Sequence, residues 1–176
     1  MARRRRAGWL ALALLVVAAV LAVRAWVLTP FVVPTGSMRP TIRPGSWILV
    51  DRLAFDTHPI EVGDVVVLRR PADDPGEANS DYLVKRVIGL PGQTIASRGG
   101  HVVVDGRVLA EPYLPRGDRT EGIVPQTIPR GEYFVLGDDR GDSVDSRIFG
   151  PVPASSIVGE VVAVVWPPSQ AHVVRS

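Results

Sequence analysis

A serine and a lysine are the residues of this chain best suited to nucleophilic chemistry. Ser37 lies in the segment Pro34–Pro40 (PTGSMRP), whose prolines fix φ and whose glycine would allow a backbone conformation that other residues resist. Lys85 is the only lysine among twenty basic residues. A serine needs a base to become a nucleophile, and lysine can lose its proton whereas arginine cannot. The pair is a candidate nucleophile and base, although Pro/Gly/Ser clusters are usually plain turns and one lysine in an arginine-rich chain can be incidental.

The neighbours of Lys85 favour a role as a base. If Tyr82–Ile88 is a strand, Leu83 and Val87 flank Lys85 on its own face, and Arg86 points to the other face. Apolar neighbours desolvate the ammonium group. For a base useful at neutral pH, the pKa of Lys85 must fall by about three units from its ordinary value near 10.4.

The three histidines are poorer candidates for the base. His58 lies in a loop, His101 follows two glycines at the start of a strand, and His172 is in the polar tail. We interpret all three as ordinary surface or turn residues.

The composition excludes several classes of site. The chain has no cysteine, so disulfides, thiolate nucleophiles and zinc–thiolate sites are excluded. Arg3–Arg6 supply four of the twenty positive charges, which leaves sixteen basic against eighteen acidic residues, a net charge of −2. A body with this balance has no compositional reason to bind nucleic acid.

The N-terminus has the pattern of a membrane anchor. Residues 1–6 form a basic tail, and the apolar segment 7–28 would span roughly 33 Å as a helix, close to a hydrocarbon core of about 30 Å. Trp9 and Trp26 mark its borders, as interfacial aromatics do. The arginines predict a cytoplasmic tail, a single-pass transmembrane anchor in the lipid bilayer and an extracytoplasmic domain over 29–176. The alternative is a cleaved signal peptide, whose apolar run would ordinarily be shorter, about 7 to 15 residues.

Residues 29–176 have the pattern of one mostly β domain. Short runs rich in Val, Ile, Leu and aromatic residues are separated by Gly, Pro and Asp. The pair Asp105-Gly106 predicts a tight hairpin turn, and residues 71–81 predict a polar loop. Seven strands are predicted: Trp47–Leu53, Asp64–Leu68, Tyr82–Leu90, His101–Val104, Arg107–Leu109, Glu132–Leu136 and Ile157–Trp166.

Four ordered segments resemble the signature boxes of type I signal peptidases, the bacterial leader peptidase family. They are Thr35–Thr41, Gly63–Val67, Lys85–Gly92 and Gly137–Gly150. The resemblance implies a serine-lysine endopeptidase, on a signal-peptidase-type β fold of small antiparallel sheets behind one N-terminal transmembrane helix, that removes signal peptides from exported preproteins. It implies no metal and no cofactor.

The resemblance also implies roles for individual residues. Ser37 would be the nucleophile and Lys85 the general base, while the Ser37 amide and the Thr35 hydroxyl would form the oxyanion hole. Ser143 would hydrogen-bond and orient Lys85. Three charged residues would support this site from the last box, with Asp145 and Arg147 paired to each other: Asp138, Asp145 and Arg147. The family usually has asparagine where this chain has Asp139.

The position of Ser37 agrees with such an activity. Thr29–Gly36 can reach at most about 28 Å when fully extended, so Ser37 would work close to the outer membrane surface. The substrate would be an extended strand with small residues at the first and third positions before the cut. Phe31–Val33 and Leu83–Val84 are candidate parts of the sheet edge that receives it.

The same sequence features allow three other interpretations. The cluster Asp138, Asp139, Asp142 and Asp145 could suggest calcium, but Arg140 occupies a position that should supply an oxygen ligand. The self-cleaving repressors of the DNA-damage response share the chemistry but carry a DNA-binding helical domain. A membrane-anchored β module that only binds partners would make Lys85 an incidental residue.

Overall fold

The computed structural model describes residues 15–16, 27–76 and 80–174. The predicted cytoplasmic tail and nearly all of the predicted anchor lie outside these residues. Within the described ranges, no helix is long and apolar enough to cross a membrane. Leu28, the last residue of the segment expected to form the anchor, begins a strand and is paired with Asp51.

The domain is mostly β, as predicted. Two one-turn α-helices, α1 (Ala54–Thr57) and α2 (Ser146–Phe149), and two 3₁₀ turns, Ala154–Ser156 and Pro168–Gln170, interrupt the strands. The described residues form twelve strands: β1 Leu28–Val32, β2 Trp47–Asp51, β3 Val65–Arg69, β4 Tyr82–Gly89, β5 Thr94–Arg98, β6 His101–Val104, β7 Arg107–Val108, β8 Gln126–Thr127, β9 Glu132–Leu136, β10 Val152–Pro153, β11 Ile157–Trp166 and β12 His172–Val173.

The strands form two antiparallel sheets of unequal size. The large sheet has the order β1-β2-β11-β3-β4-β9-β10, with β12 paired to β11, and the small sheet has the order β7-β6-β5-β8. The prediction of antiparallel sheets is therefore confirmed, but one of them has eight strands and is not small. Asp105 and Gly106 both have positive φ between β6 and β7, as the predicted hairpin turn requires.

A shared apolar cluster joins the two sheets. It is built from side chains of β4 and β9 on one side and of β5, β6 and the segments beside β8 on the other: Ile88, Ile95, Val102, Ile123, Ile128, Phe134 and Leu136. All seven are almost fully buried. Because β4 and β9 also carry residues of the predicted site or lead into it, the small sheet supports that site from behind.

Candidate active site

The turn that carries Ser37 is held from below by apolar side chains. It follows β1, and its Met38 and Ile42 are buried in the core that packs under the large sheet. The backbone closes on itself, since the Ile42 amide donates to the Met38 carbonyl at 2.8 Å and the Arg39 amide donates to the Gly36 carbonyl at 2.9 Å. Ser37 is therefore presented by an anchored turn.

Gly36 has a different function in this turn from the one expected. Its φ lies outside the left-handed region, so the expectation of an unusual backbone conformation was wrong. Any side chain at this position would instead meet the Arg39 guanidinium, whose Nη2 would lie 2.5 Å from the added Cβ. Because this is the end of a flexible, half-exposed side chain that can shift, the contact favours glycine only weakly.

Lys85 is buried in the middle of β4. The residue is 2 % exposed, and its Nζ donates a hydrogen bond to the Ser143 hydroxyl at 3.0 Å. Burial lowers the pKa of Lys85 to about 8, against an opposing contribution from the Asp145 carboxylate. This decrease from 10.5 is somewhat smaller than the three units expected from the sequence.

One open cleft contains the residues that the sequence analysis selected for catalysis. Its lining includes Thr35, Ser37, Lys85 and Ser143, with Leu83 on the same face of β4 as Lys85. The Thr35 and Ser37 hydroxyl oxygens lie 3.4 Å apart. Among the described residues, no hydrogen bond joins Ser37 to Lys85, whose ammonium group is bonded to Ser143 instead. Catalytic hydrogen bonds are often long in a protein without substrate.

The alternation of β4 turns Arg86 away from the cleft, as predicted. Its guanidinium donates two hydrogen bonds to the Asp138 carboxylate, at 2.9 and 2.7 Å, and a third to the Gly63 carbonyl at 2.7 Å. The two side chains are 1 % and 0 % exposed. Asp138 also accepts a hydrogen bond from the Thr41 hydroxyl. Asp138 therefore ties β4 to the turn that carries Ser37.

Asp145 and Arg147 form an ion pair behind Ser143. The guanidinium donates to both carboxylate oxygens at 2.8 Å, and the Gly137 amide donates to Asp145 as well. Asp145 caps α2 by accepting from the Arg147 amide. Burial raises the pKa of Asp145, but the hydrogen bond and charge of Arg147 more than offset it and hold this pKa below its usual range.

Gly137 packs closely between the segments that carry Ser37 and Ser143. A Cβ at this position would overlap both the Ser143 hydroxyl and the Ser37 carbonyl oxygen. The Ser37 carbonyl also accepts a hydrogen bond from the Asp139 amide at 3.0 Å. The backbone at 137–139 thus sets the separation between the Ser37 turn and the Ser143 loop.

The acidic cluster is paired with arginine rather than open to a cation. Asp138 binds Arg86 and Asp145 binds Arg147, while Asp139 and Asp142 lie 3.4 and 3.6 Å from Arg39. No group of side chains in the described ranges could hold a metal ion. The carboxylate of Asp139, where the family usually has asparagine, thus has a partner in Arg39.

The three histidines lie away from this cleft. His58 contacts Glu160, with its Nε2 3.3 Å from the carboxylate. The Nδ1 of the same ring is bonded to the backbone carbonyl of the next residue, Pro59. His101 and His172 are exposed on β6 and β12. None of the three is among the residues that line the cleft.

The sequence analysis missed one ion pair in the cleft. Asp74 lines it from the segment interpreted as a plain polar loop, and Arg70 lines it from the position just before that segment. Their side chains meet at 2.5 Å, and the Asp74 carboxylate is buried. Arg70 also donates to the Ser80 carbonyl at 2.9 Å. The only sequence signal was an arginine directly after β3 with an aspartate four positions later.

Comparisons with known proteins identify relatives of this chain. A family model described as signal peptidase, peptidase S26, matches residues 6–166. A probable signal peptidase I-1 from Synechocystis is 36 % identical over 165 residues, which cover 89 % of this chain and 82 % of that protein. A signal peptidase I from Bacillus caldolyticus is 38 % identical over 178 residues, covering 94 % and 92 %.

A solved structure of a signal peptidase I from Enterococcus faecalis is 30 % identical, covers 59 % of this chain and 97 % of its own, and has a TM-score of 0.47. The matches favour neither the self-cleaving repressors nor a binding module without catalysis. The order of the boxes and the extent of the family match lead to one conclusion: this chain belongs to the signal peptidase family, peptidase S26, and is a hydrolase.

Proposed function

We propose that this protein cleaves N-terminal signal peptides from exported preproteins, with Ser37 as nucleophile and Lys85 as general base. The observation that carries the proposal is the burial of Lys85 in the same cleft as Ser37. Desolvation brings the pKa of Lys85 to about 8, so a substantial fraction of its amine is neutral at mildly alkaline pH. A neutral amine is what the base of a serine nucleophile must provide.

The chemical steps follow from these positions. Neutral Lys85 accepts the proton of the Ser37 hydroxyl as its oxygen attacks the scissile carbonyl carbon. The ammonium group then gives the proton to the leaving amine as the peptide bond breaks, which leaves an ester on Ser37. Lys85, neutral again, takes a proton from the water that attacks this ester, and returns it to Ser37 as the signal peptide departs.

The hydroxyls beside Ser37 and Lys85 have supporting roles. The Ser37 amide and the Thr35 hydroxyl would stabilise the oxyanion, whose charge develops only in the transition state. Ser143 accepts the hydrogen bond of Lys85 and so directs its Nζ along one side of the cleft. Asp145, Arg147 and Asp138 hold the backbone beneath these groups.

An apolar pocket beside the cleft fits the small side chains of a signal-peptide cleavage site. It lies between the end of β1 and the start of β4, is lined by Phe31, Val33 and Leu83, and shares Thr35 and Ser37 with the cleft. These are the segments expected to form the receiving sheet edge. An extended peptide between them would place small residues in the pocket and its scissile bond at Ser37.

We also propose that segment 7–28 anchors the protein in the lipid bilayer, with the basic tail in the cytoplasm and the catalytic domain outside. β1 begins at Leu28, so the folded domain follows such an anchor without a spacer. Ser37 would then act near the membrane surface, where a translocated signal peptide presents its cleavage site.

Ser37→Ala tests the proposed nucleophile. The full chain in detergent should cut a purified preprotein at its small-x-small site. The variant should lose at least about 1,000-fold in kcat, because it lacks the oxygen that attacks the scissile carbonyl carbon. Product masses identify the bond that is cut. Cleavage by Ser37→Ala at the rate of the unmodified enzyme would refute the role of Ser37.

Activity should rise with pH because only neutral Lys85 is active. With a folded-state pKa of about 8, the neutral fraction is small below that pH and dominant above it. We expect kcat to increase roughly 90-fold from about pH 6 to about pH 9. Initial rates on one preprotein across this range give the profile, and a rate independent of pH would contradict Lys85 as the base.

A further inference from the structure

A second buried charged cluster lies behind the proposed site, on the side of the small sheet. Arg140 is 1 % exposed, and its guanidinium donates to the Glu111 carboxylate at 2.5 Å and to the Thr120 hydroxyl at 2.5 Å. Glu111 is 9 % exposed and also accepts from the Tyr113 hydroxyl at 2.8 Å. The proposed mechanism uses none of these side chains, which all belong to the segment after β7 except Arg140.

A third hydrogen bond of the Arg140 guanidinium holds the backbone of the loop that leads to Ser143. Its Nε donates to the Gly137 carbonyl at 3.0 Å, and the Arg140 carbonyl accepts from Arg147 at 2.8 Å. Gly137 packs against the Ser143 hydroxyl and the Ser37 carbonyl with no room for a Cβ. A displacement of the Gly137 peptide therefore moves the partner of Lys85 and the backbone of the nucleophile together.

A second contact links the same segment to the site. The Tyr113 ring lies under the Arg86 guanidinium, 3.9 Å from its centroid, and Arg86 binds Asp138, which accepts from Thr41 in the Ser37 turn. Glu111 thus contacts Arg140, which binds the Gly137 carbonyl, and Tyr113 contacts Arg86, which binds Asp138. Both sets of contacts connect the segment after β7 to the backbone that lies between Ser37 and Ser143.

We propose that Glu111 is a positioning residue for peptide cleavage, an inference that rests on the function proposed above. Glu111 fixes the orientation of Arg140, Arg140 fixes the Gly137 peptide, and that peptide sets the separation of Ser37 and Ser143. Displacements of about 1 Å at a catalytic site can cost about 100-fold in rate. The segment after β7 therefore contributes to catalysis without contacting substrate.

This positioning role depends on the shape of the Arg140 and Glu111 side chains rather than on their charge. The guanidinium of Arg140 is a planar fork that reaches Gly137, Glu111 and Thr120 in three directions, which the single ammonium of lysine cannot reproduce. Glutamine at position 111 keeps the oxygen that accepts from Arg140 and from Tyr113, although it loses the charge. Arg140→Lys keeps the charge but loses the fork, so the two variants separate the explanations.

The experiment compares four variants of the full chain in detergent: Glu111→Ala, Glu111→Gln, Arg140→Lys and Glu121→Ala. Glu121 is the matched control, because it is 59 % exposed and paired with Arg119 on the surface at 3.1 Å. We expect Glu111→Ala and Arg140→Lys to lower kcat about 100-fold with KM within about two-fold, and Glu111→Gln to stay within about three-fold. Rates are expressed per folded protein, measured by near-ultraviolet circular dichroism.

Three kinetic results would overturn the proposal: Glu111→Ala with unchanged kcat, Glu111→Gln as impaired as Glu111→Ala, or Arg140→Lys with full kcat. If Glu111→Ala does not fold, the kcat values of Glu111→Gln and Arg140→Lys still test the proposal. Lys85 gives a readout that does not need activity, because lysine labelled with ¹³C at Cε marks one side chain in this chain. Its signal should shift in Glu111→Ala and not in Glu121→Ala, neither of which adds a second lysine, and an unmoved signal in Glu111→Ala would overturn the proposal even if no preprotein were cut.

Discussion

Lys85→Arg should abolish peptide cleavage while leaving the protein folded. Arginine keeps the positive charge on a slightly longer side chain, but its guanidinium does not lose its proton in proteins. Loss of a general base costs about 100- to 10,000-fold in rate, so kcat on a preprotein should fall by at least the lower of these factors. Initial rates of preprotein cleavage measure the effect.

The design of this test separates catalysis from binding. Arg98→Lys, at an exposed position of β5, is a matched control for exchange between the two cations and should cleave at the normal rate. A membrane-anchored binding module would tolerate Lys85→Arg, because the charge survives. Cleavage by Lys85→Arg at more than about one tenth of the normal rate would rule out Lys85 as the base.

Asp138→Ala should destabilise the domain more than other single changes at acidic residues of this loop. It leaves both the buried Arg86 guanidinium and the Thr41 hydroxyl without the carboxylate that they bind, and breaking a buried ion pair in this way costs about 3–5 kcal/mol. Domains are stable by only about 5–15 kcal/mol, so the variant approaches the limit of folding. Denaturant unfolding of the full chain in detergent measures the loss.

The neighbouring Asp139 provides the comparison. Its side chain is 28 % exposed and lies 3.4 Å from the half-exposed Arg39, and such surface pairs contribute about 0–1 kcal/mol. Asp139→Ala should therefore change the free energy of unfolding by no more than about 1 kcal/mol. Equal losses for the two variants would mean that burial of the Arg86 pair does not govern stability here.

The strands that could be predicted are those with a clear apolar pattern. His101–Val104, Glu132–Leu136 and Ile157–Trp166 have the predicted bounds, and four others differ by one or two residues at their ends. The start of β1 was not predicted, because Leu28 continues the apolar run of segment 7–28. Hydrophobicity alone does not separate the end of that segment from the beginning of the strand. β5 was missed because only two of its five residues are buried.

The residues of the site were recognisable from motifs, but their contacts were not. The link from Arg86 to Asp138 joins positions 52 residues apart, and it depends on the register of β4 against β9. The role of Gly36 was misjudged because the position of the Arg39 side chain cannot be read from spacing. Glu111 drew no attention, since an isolated glutamate in a polar segment gives no sign that the fold buries it against Arg140.

The most direct test of the central claim is the protonation of Lys85 itself. Since the chain has one lysine, full-length protein labelled with ¹³C at lysine Cε gives a side-chain signal that can be followed against pH without assignment. We expect this signal to titrate with a pKa of about 8, and kcat to rise with the same midpoint. A pKa near the ordinary 10.5, with activity already at its maximum below pH 9, would contradict Lys85 as the base.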